Sequence, residues 1–129
     1  AICLENSVES GYKFANLLND LNSYIVEKYL QKIKSYHKKN VGILGVAYKP
    51  NVPYIYDSQP LKIAEKLIQS GYQVYIYDPL AEENAKQALK NAHFCSSINE
   101  CIERAEVIFI GTANYSNIKS KKPIVNPWK

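Results

Sequence analysis

Three short apolar runs do most to limit how this chain can fold: Val41–Leu44, Gln73–Tyr77 and Glu106–Ile110. Amphipathic patterns of helical period stand between them, which is the βαβ order of a parallel sheet. Val41–Leu44 (V-G-I-L) lacks the in-out alternation of a half-solvated strand, as suits one buried on both faces. The expectation is a three-layer α/β domain with a mostly parallel sheet.

The connecting elements carry their own punctuation. Ser58 reads as an N-cap and Pro60 is tolerated in the first turn behind it. Leu61, Ile63, Ala64, Leu67 and Ile68 face inward, and Gly71 is the expected residue just past the helix end. Asp78-Pro79 reads as a turn. A helix is expected over Ala81–Asn91, a short strand over Phe94–Ser96, and a small helix over Ser97–Ala105 capped by Ser96 or Ser97. Gly111 and Thr112 close the strand before them, Lys119–Lys122 is a basic turn, and Ile124–Asn126 a last short strand.

Ahead of all this, residues 6–36 fit one long helix. Val8, Tyr12, Leu17, Leu18, Leu21, Ile25, Tyr29, Leu30 and Ile33 recur at intervals of three and four, and Asn6 or Ser7 offers a cap. At about 1.5 Å per residue it would reach about 45 Å, longer than the domain behind it. Such a helix needs a further partner, either a preceding domain or a second subunit; the alternative is a helix folded wholly onto its own sheet. The boundary falls at residue 40, giving a helical segment 1–40 and a domain 41–129.

The 129 residues carry a net charge of +4, much of it in Lys28–Lys39. A nucleic-acid patch and a solvated helix face are the two readings of that run, and the second is preferred. Cys3, Cys95 and Cys101 are odd in number and irregularly spaced, and His37 and His93 have no partner at metal-ligand spacing. No metal site is expected, and a reducing, cytoplasmic compartment is. Cys95 as a nucleophile lacks a nearby base. No apolar run is long enough to cross a bilayer, so no membrane partner is expected. The start A-I-C-L-E-N has neither an initiator Met nor a signal peptide, and reads as a piece of a longer chain.

Two constellations bear on chemistry. Gly42, Gly45 and Ala47 resemble a dinucleotide fingerprint only loosely, because an extended loop of about a dozen residues follows where a helix N-terminus is needed to meet the pyrophosphate. Tyr48-Lys49, just past the first strand's carboxyl end, offers a point charge for a diphosphate beside an aromatic ring. An exposed lysine with a packing tyrosine is the plainer reading of the same pair.

The runs G-I-L-G-V-A-Y-K-P-N, I-x-D-S at Ile55–Ser58, L-I-Q-S-G-Y-Q-V-Y-I-Y-D-P, A-E-V-I-F-I-G-T and I-V-N-P-W together resemble the C-terminal domain of the UDP-glucose/GDP-mannose dehydrogenases. A-N-L-L-N-D at Ala15–Asp20 is similar to the end of that family's central dimerisation helix. The resemblance implies a Rossmann-like domain that binds the UDP end of a nucleotide sugar. The parent enzyme would oxidise the sugar's C6 hydroxyl to a carboxylate for polysaccharide synthesis. It further implies NAD held by an upstream domain, no catalytic residue here, and a homodimer through the N-terminal helix. Tyr48, Lys49 and Ser58 match the family's UDP-binding positions. Pro53, Tyr54 and Tyr56 replace its usual two acids and arginine, and Asn126–Lys129 stand where many members carry D-G-R-R. The runner-up is a non-catalytic Rossmann-like module for ligand binding or assembly.

Overall fold

The computed structural model describes residues 2–56 and 58–128; within the first helix it describes the side chains of Lys13 and of Asn16 onward. The elements run α1 (Ile2–Lys34), β1 (Asn40–Leu44), α2 (Gln59–Gln69), β2 (Gln73–Tyr77), α3 (Glu82–Ala88), β3 (His93–Phe94), α4 (Ile98–Arg104), β4 (Val107–Ile110), a 3-10 turn (Ala113–Tyr115) and β5 (Ile124–Val125). All five strands pair in parallel, in the order β3-β2-β1-β4-β5. The three long runs therefore lie at the centre, and the edges are two residues each, too short to template another sheet.

Alternate strand residues feed two cores. Val41, Ile43, Val74, Ile76, Val107 and Phe109 face α1, α2 and α3. Leu44, Ile108 and Ile110 face α4 with Cys101 and Ala105. Burial on both faces is why β1 and β4 read as unbroken apolar runs. Among the described residues no helix is long and apolar enough to cross a membrane.

α1 begins at Ile2, so Asn6 and Ser7 lie inside it instead of capping it. It runs beside α2 and in the same direction: Asn22 meets Gln59, Glu27 pairs with Lys66 at 3.8 Å, and the Lys34 ammonium donates to Ser70 Oγ. Val26, Leu30 and Ile33 are buried, and the Tyr29 ring sits 5.7 Å from that of Phe109. Leu17, Leu18, Leu21 and Tyr24 are exposed. Since Asn22 is already level with the first turn of α2, the residues before it overhang the carboxyl end of the sheet. The helix is thus only half folded onto its own domain. Val8 and Tyr12 of the expected stripe lie outside the described side chains.

Bounds differ at the short elements. α3 covers seven residues instead of the eleven expected, because Leu89 leaves helical geometry (φ −122°, ψ 83°) and turns inward, where it is buried. β3 begins one residue early and ends at Phe94, while β4 begins at Val107 and β5 ends at Val125. Ser97, not Ser96, caps α4 through the Glu100 N–H.

The basic turn has a specific use. The Lys122 ammonium donates to the carbonyls of Ile102, Glu103 and Ala105 at 2.6, 2.8 and 2.7 Å. These are end-of-helix acceptors of α4, where a cation also meets the negative end of the dipole. Lys122→Met, which keeps the stem and removes the donor, is expected to destabilise the fold by about 1.5–3 kcal/mol. Denaturant unfolding checks this; a loss under about 0.5 kcal/mol would mean that water serves those carbonyls equally well.

Candidate functional site

The site is built where β1, β2 and β4 end side by side. The register Leu44↔Tyr77 and Leu44↔Ile110 brings Gly45, Asp78 and Gly111 level with one another. Gly45 turns the chain with φ +92°, and its N–H donates to Tyr77 O. A side chain there would be strained and would collide with Thr112. The N–H groups of Gly111 and Thr112 both donate to Leu44 O, which draws the β4 end against the β1 turn.

No helix follows Gly45. The loop before α2 is not extended throughout, contrary to what the prolines suggested: it bends at residues 47–49 and turns at 50–51, where Asn51 has φ +63°. Its first two residues after Gly45 are held from both sides. The N–H groups of Val46 and Ala47 donate to Asp78 Oδ2 at 3.0 and 3.2 Å. On the other side the Ser58 hydroxyl donates to Val46 O at 2.6 Å while accepting the Leu61 N–H as the α2 cap. Asp78 Oδ1 accepts the Ala81 N–H, so the carboxylate, 8% exposed, is bonded to three backbone donors. Charge-assisted bonds of this kind are worth about 1.5–3 kcal/mol each. Farther along, Tyr48 N–H donates to Tyr54 O, closing the loop on itself, and Asn84 Nδ2 ties Pro53 O to α3.

Of the three residues picked from the sequence, Lys49 alone lines the resulting cleft. The cleft measures about 90 Å³, with Asn51, Asp78, Thr112, Asn114 and Tyr115 among its walls. Among the described residues nothing engages the Lys49 ammonium. Tyr48 stands beside the cleft, 61% exposed, whereas Ser58 is 2% exposed with its hydroxyl spent inside the chain. Asp78, expected to be a simple turn residue, is the brace of the whole arrangement. Thr112 and Asn114, whose side chains share a 2.6 Å hydrogen bond, were not singled out; their position just past the end of a central strand was the available signal. Tyr115 packs edge-on against Tyr77, and burial, reinforced by the charge of Asp78, raises its hydroxyl above the ordinary tyrosine value.

Other candidates lie apart. Cys101, on the inner face of α4, and Cys95, in the same core cluster, are buried, and burial pushes both thiols above the ordinary cysteine value, the direction opposite to that of a nucleophile. Trp128 faces a separate apolar groove of about 240 Å³ with Ile25, Tyr29 and Phe109. Asn126, in front of it, is spent on Ser116 O and Trp128 N–H.

A cation in a crevice at the carboxyl ends of a parallel sheet suits a phosphate-bearing ligand. The family model "UDP-glucose/GDP-mannose dehydrogenase family, UDP binding domain" matches residues 42–125. The UDP-glucose 6-dehydrogenase YwqF of Bacillus subtilis is 26% identical over 102 residues, 78% of this chain and 23% of that one. The UDP-N-acetyl-D-mannosamine dehydrogenase of Methanocaldococcus jannaschii is 33% identical, covering 76% of this chain and 22% of that one. The structure of a UDP-glucose dehydrogenase from Pyrobaculum islandicum superposes with a TM-score of 0.77 at 26% identity, over 83% of this chain and 27% of that one. The chain thus spans roughly a quarter of the length of these relatives. It belongs to the UDP-glucose/GDP-mannose dehydrogenase family, and residues 42–125 make up the family's UDP-binding domain.

Proposed function

We propose that this chain grips the diphosphate end of a UDP-sugar for a dehydrogenase that oxidises the sugar's C6 hydroxyl to a carboxylate with NAD. The observation that carries the reading is the Lys49 side chain, unpartnered among the described residues and lining the cleft formed by the ends of β1, β2 and β4. Tyr48 flanks the ligand beyond the phosphates, and Ser58 contributes by holding the Val46 carbonyl from which the Tyr48-Lys49 segment departs. The cleft is phosphate-sized, so the sugar and base extend outside it.

NAD does not fit this domain's own first turn. No helix starts behind Gly45, and the Val46 and Ala47 N–H groups are already taken. The hydride acceptor therefore belongs to another domain, and this chain alone is inactive. The uncovered Leu17, Leu18, Leu21 and Tyr24 of α1 fit a homodimer contact. The free thiols of Cys95 and Cys101 fit a reducing cytoplasm, where precursors of polysaccharides are made.

Calorimetric titration with UDP, UMP and uridine tests the reading. Affinity is expected to fall in that order and to weaken with added salt. No heat with any of the three, or uridine binding as well as UDP, would remove it. A non-catalytic module draws support from Pro53, Tyr54 and Tyr56, which put exposed, uncharged side chains where the family resemblance implies two acids and an arginine. It predicts the same UDP binding but no uronic acid from the parent chain.

A further inference from the structure

In a dinucleotide-binding fold the turn after the first strand offers backbone N–H groups to a ligand phosphate. Here the same turn offers two, from Val46 and Ala47, and both end on Asp78 Oδ2 at 3.0 and 3.2 Å. The carboxylate comes from the residue after β2, the neighbouring parallel strand, and its second oxygen is fixed by the Ala81 N–H at 3.2 Å. No side chain donates to it among the described residues. Its three partners are the backbone donors that an inorganic anion would use, and it is 8% exposed. The peptide units that donate to it are held from behind by Ser58, whose hydroxyl donates to Val46 O at 2.6 Å and lies 3.4 Å from Ala47 O. Tyr48 and Lys49 leave directly from this clamped pair.

We infer that Asp78 is a built-in anion that fills the phosphate seat of the first βα turn and so positions Lys49 as the group that meets the ligand's phosphate. Two consequences are specific to this arrangement. The domain cannot accept a dinucleotide at the turn while the carboxylate is there. Taking the carboxylate away exposes an anion site made of two or three N–H groups, sized for a small carboxylate. Asp78 is a positioning residue here: although it borders the cleft, its oxygens are engaged by backbone N–H groups. The seat itself stands on the hydrogen bonds above, whereas the effect on Lys49 rests on the UDP reading.

The experiment compares the wild-type chain, Asp78→Ala and Asp78→Asn, each in sodium formate and in sodium chloride at matched ionic strength. Formate is expected to raise the thermal midpoint of Asp78→Ala over its value in chloride, and to leave wild type and Asp78→Asn unmoved, because their seat is filled. UDP affinity is expected to drop at least about tenfold in both variants, as a lost charge-assisted anchor entails. Formate is expected to restore affinity in Asp78→Ala only, relative to any competition seen in wild type. If Asp78→Ala does not fold in chloride, recovery of its folded state in formate supports the seat, and failure to recover overturns it. An equal formate response in all three proteins overturns it too, as does wild-type UDP affinity in both variants. Should wild type not bind UDP at all, the UDP reading fails by itself, and the formate shift of Asp78→Ala still decides whether the seat exists.

Discussion

Lys49→Ala is expected to weaken UDP binding by about 10- to 100-fold while leaving the thermal midpoint of the chain nearly unchanged. The size follows from losing one charge-assisted contact to a diphosphate, about 1.5–3 kcal/mol, with each 1.4 kcal/mol worth a factor of about ten. The stability half follows from the structure. The Lys49 side chain is exposed and bonded to nothing among the described residues, and an exposed substitution of this kind moves stability by less than about 0.5 kcal/mol. Lys49→Arg sharpens the test. It keeps the charge but presents a planar fork on a different stem, so partial retention of affinity is expected. Binding of UDP by Lys49→Ala at the wild-type level would take Lys49 out of the site. A parallel loss of affinity and of thermal stability would show instead that the side chain supports the loop.

What the sequence disclosed and what it withheld divide along one physical line. The bounds of β2, the Ser58 cap of α2 and the terminating Gly71 with φ +89° were all readable, because each depends on residues within a few positions of one another. So was the absence of a helix between β1 and Ser58, from Pro50, Pro53 and the late cap, although the loop folds back through Tyr48 N–H to Tyr54 O instead of running extended. The role of Asp78 was not. It depends on the parallel register that brings residue 78 beside the turn at residues 45–47, some thirty positions away in the chain. As a local signal, Asp-Pro after a strand means only a turn. Lys122 is similar: within a basic run nothing separates it from Lys119 or Lys121, and only the return of the chain along β4 sets it against the end of α4. Ser58 shows the converse. Its helix-capping role was legible locally, and that same role, together with the bond to Val46 O, uses up the hydroxyl.

Gly111→Ala is expected to cost about 3 kcal/mol or more, a fall of roughly 10 °C in thermal midpoint for a chain of this size. A methyl group at this position would collide with the Gly45 carbonyl oxygen and crowd the Gly45 carbonyl carbon and Pro60 Cβ, each at 3.0 Å. All three neighbours are rigid, being backbone or a proline ring in the first turn of α2, so none can step aside by changing a rotamer. Relief requires β4 to withdraw from the β1 turn, which breaks the Gly111 and Thr112 bonds to Leu44 O and opens the cleft at its base. Gly71→Ala provides the contrast. Gly71 has a left-handed φ of +89° with open space around it, so the substitution brings backbone strain alone, about 1–2 kcal/mol. Gly71→Asn, which tolerates that conformation better, is expected to cost less than Gly71→Ala, whereas at Gly111 no residue larger than glycine is expected to be accommodated. Denaturant unfolding of the variants in one buffer gives the order. If Gly111→Ala proved as mild as Gly71→Ala, the close approach of the β1 turn and the β4 end would be wrong, and with it the floor on which Lys49 and Asp78 are placed.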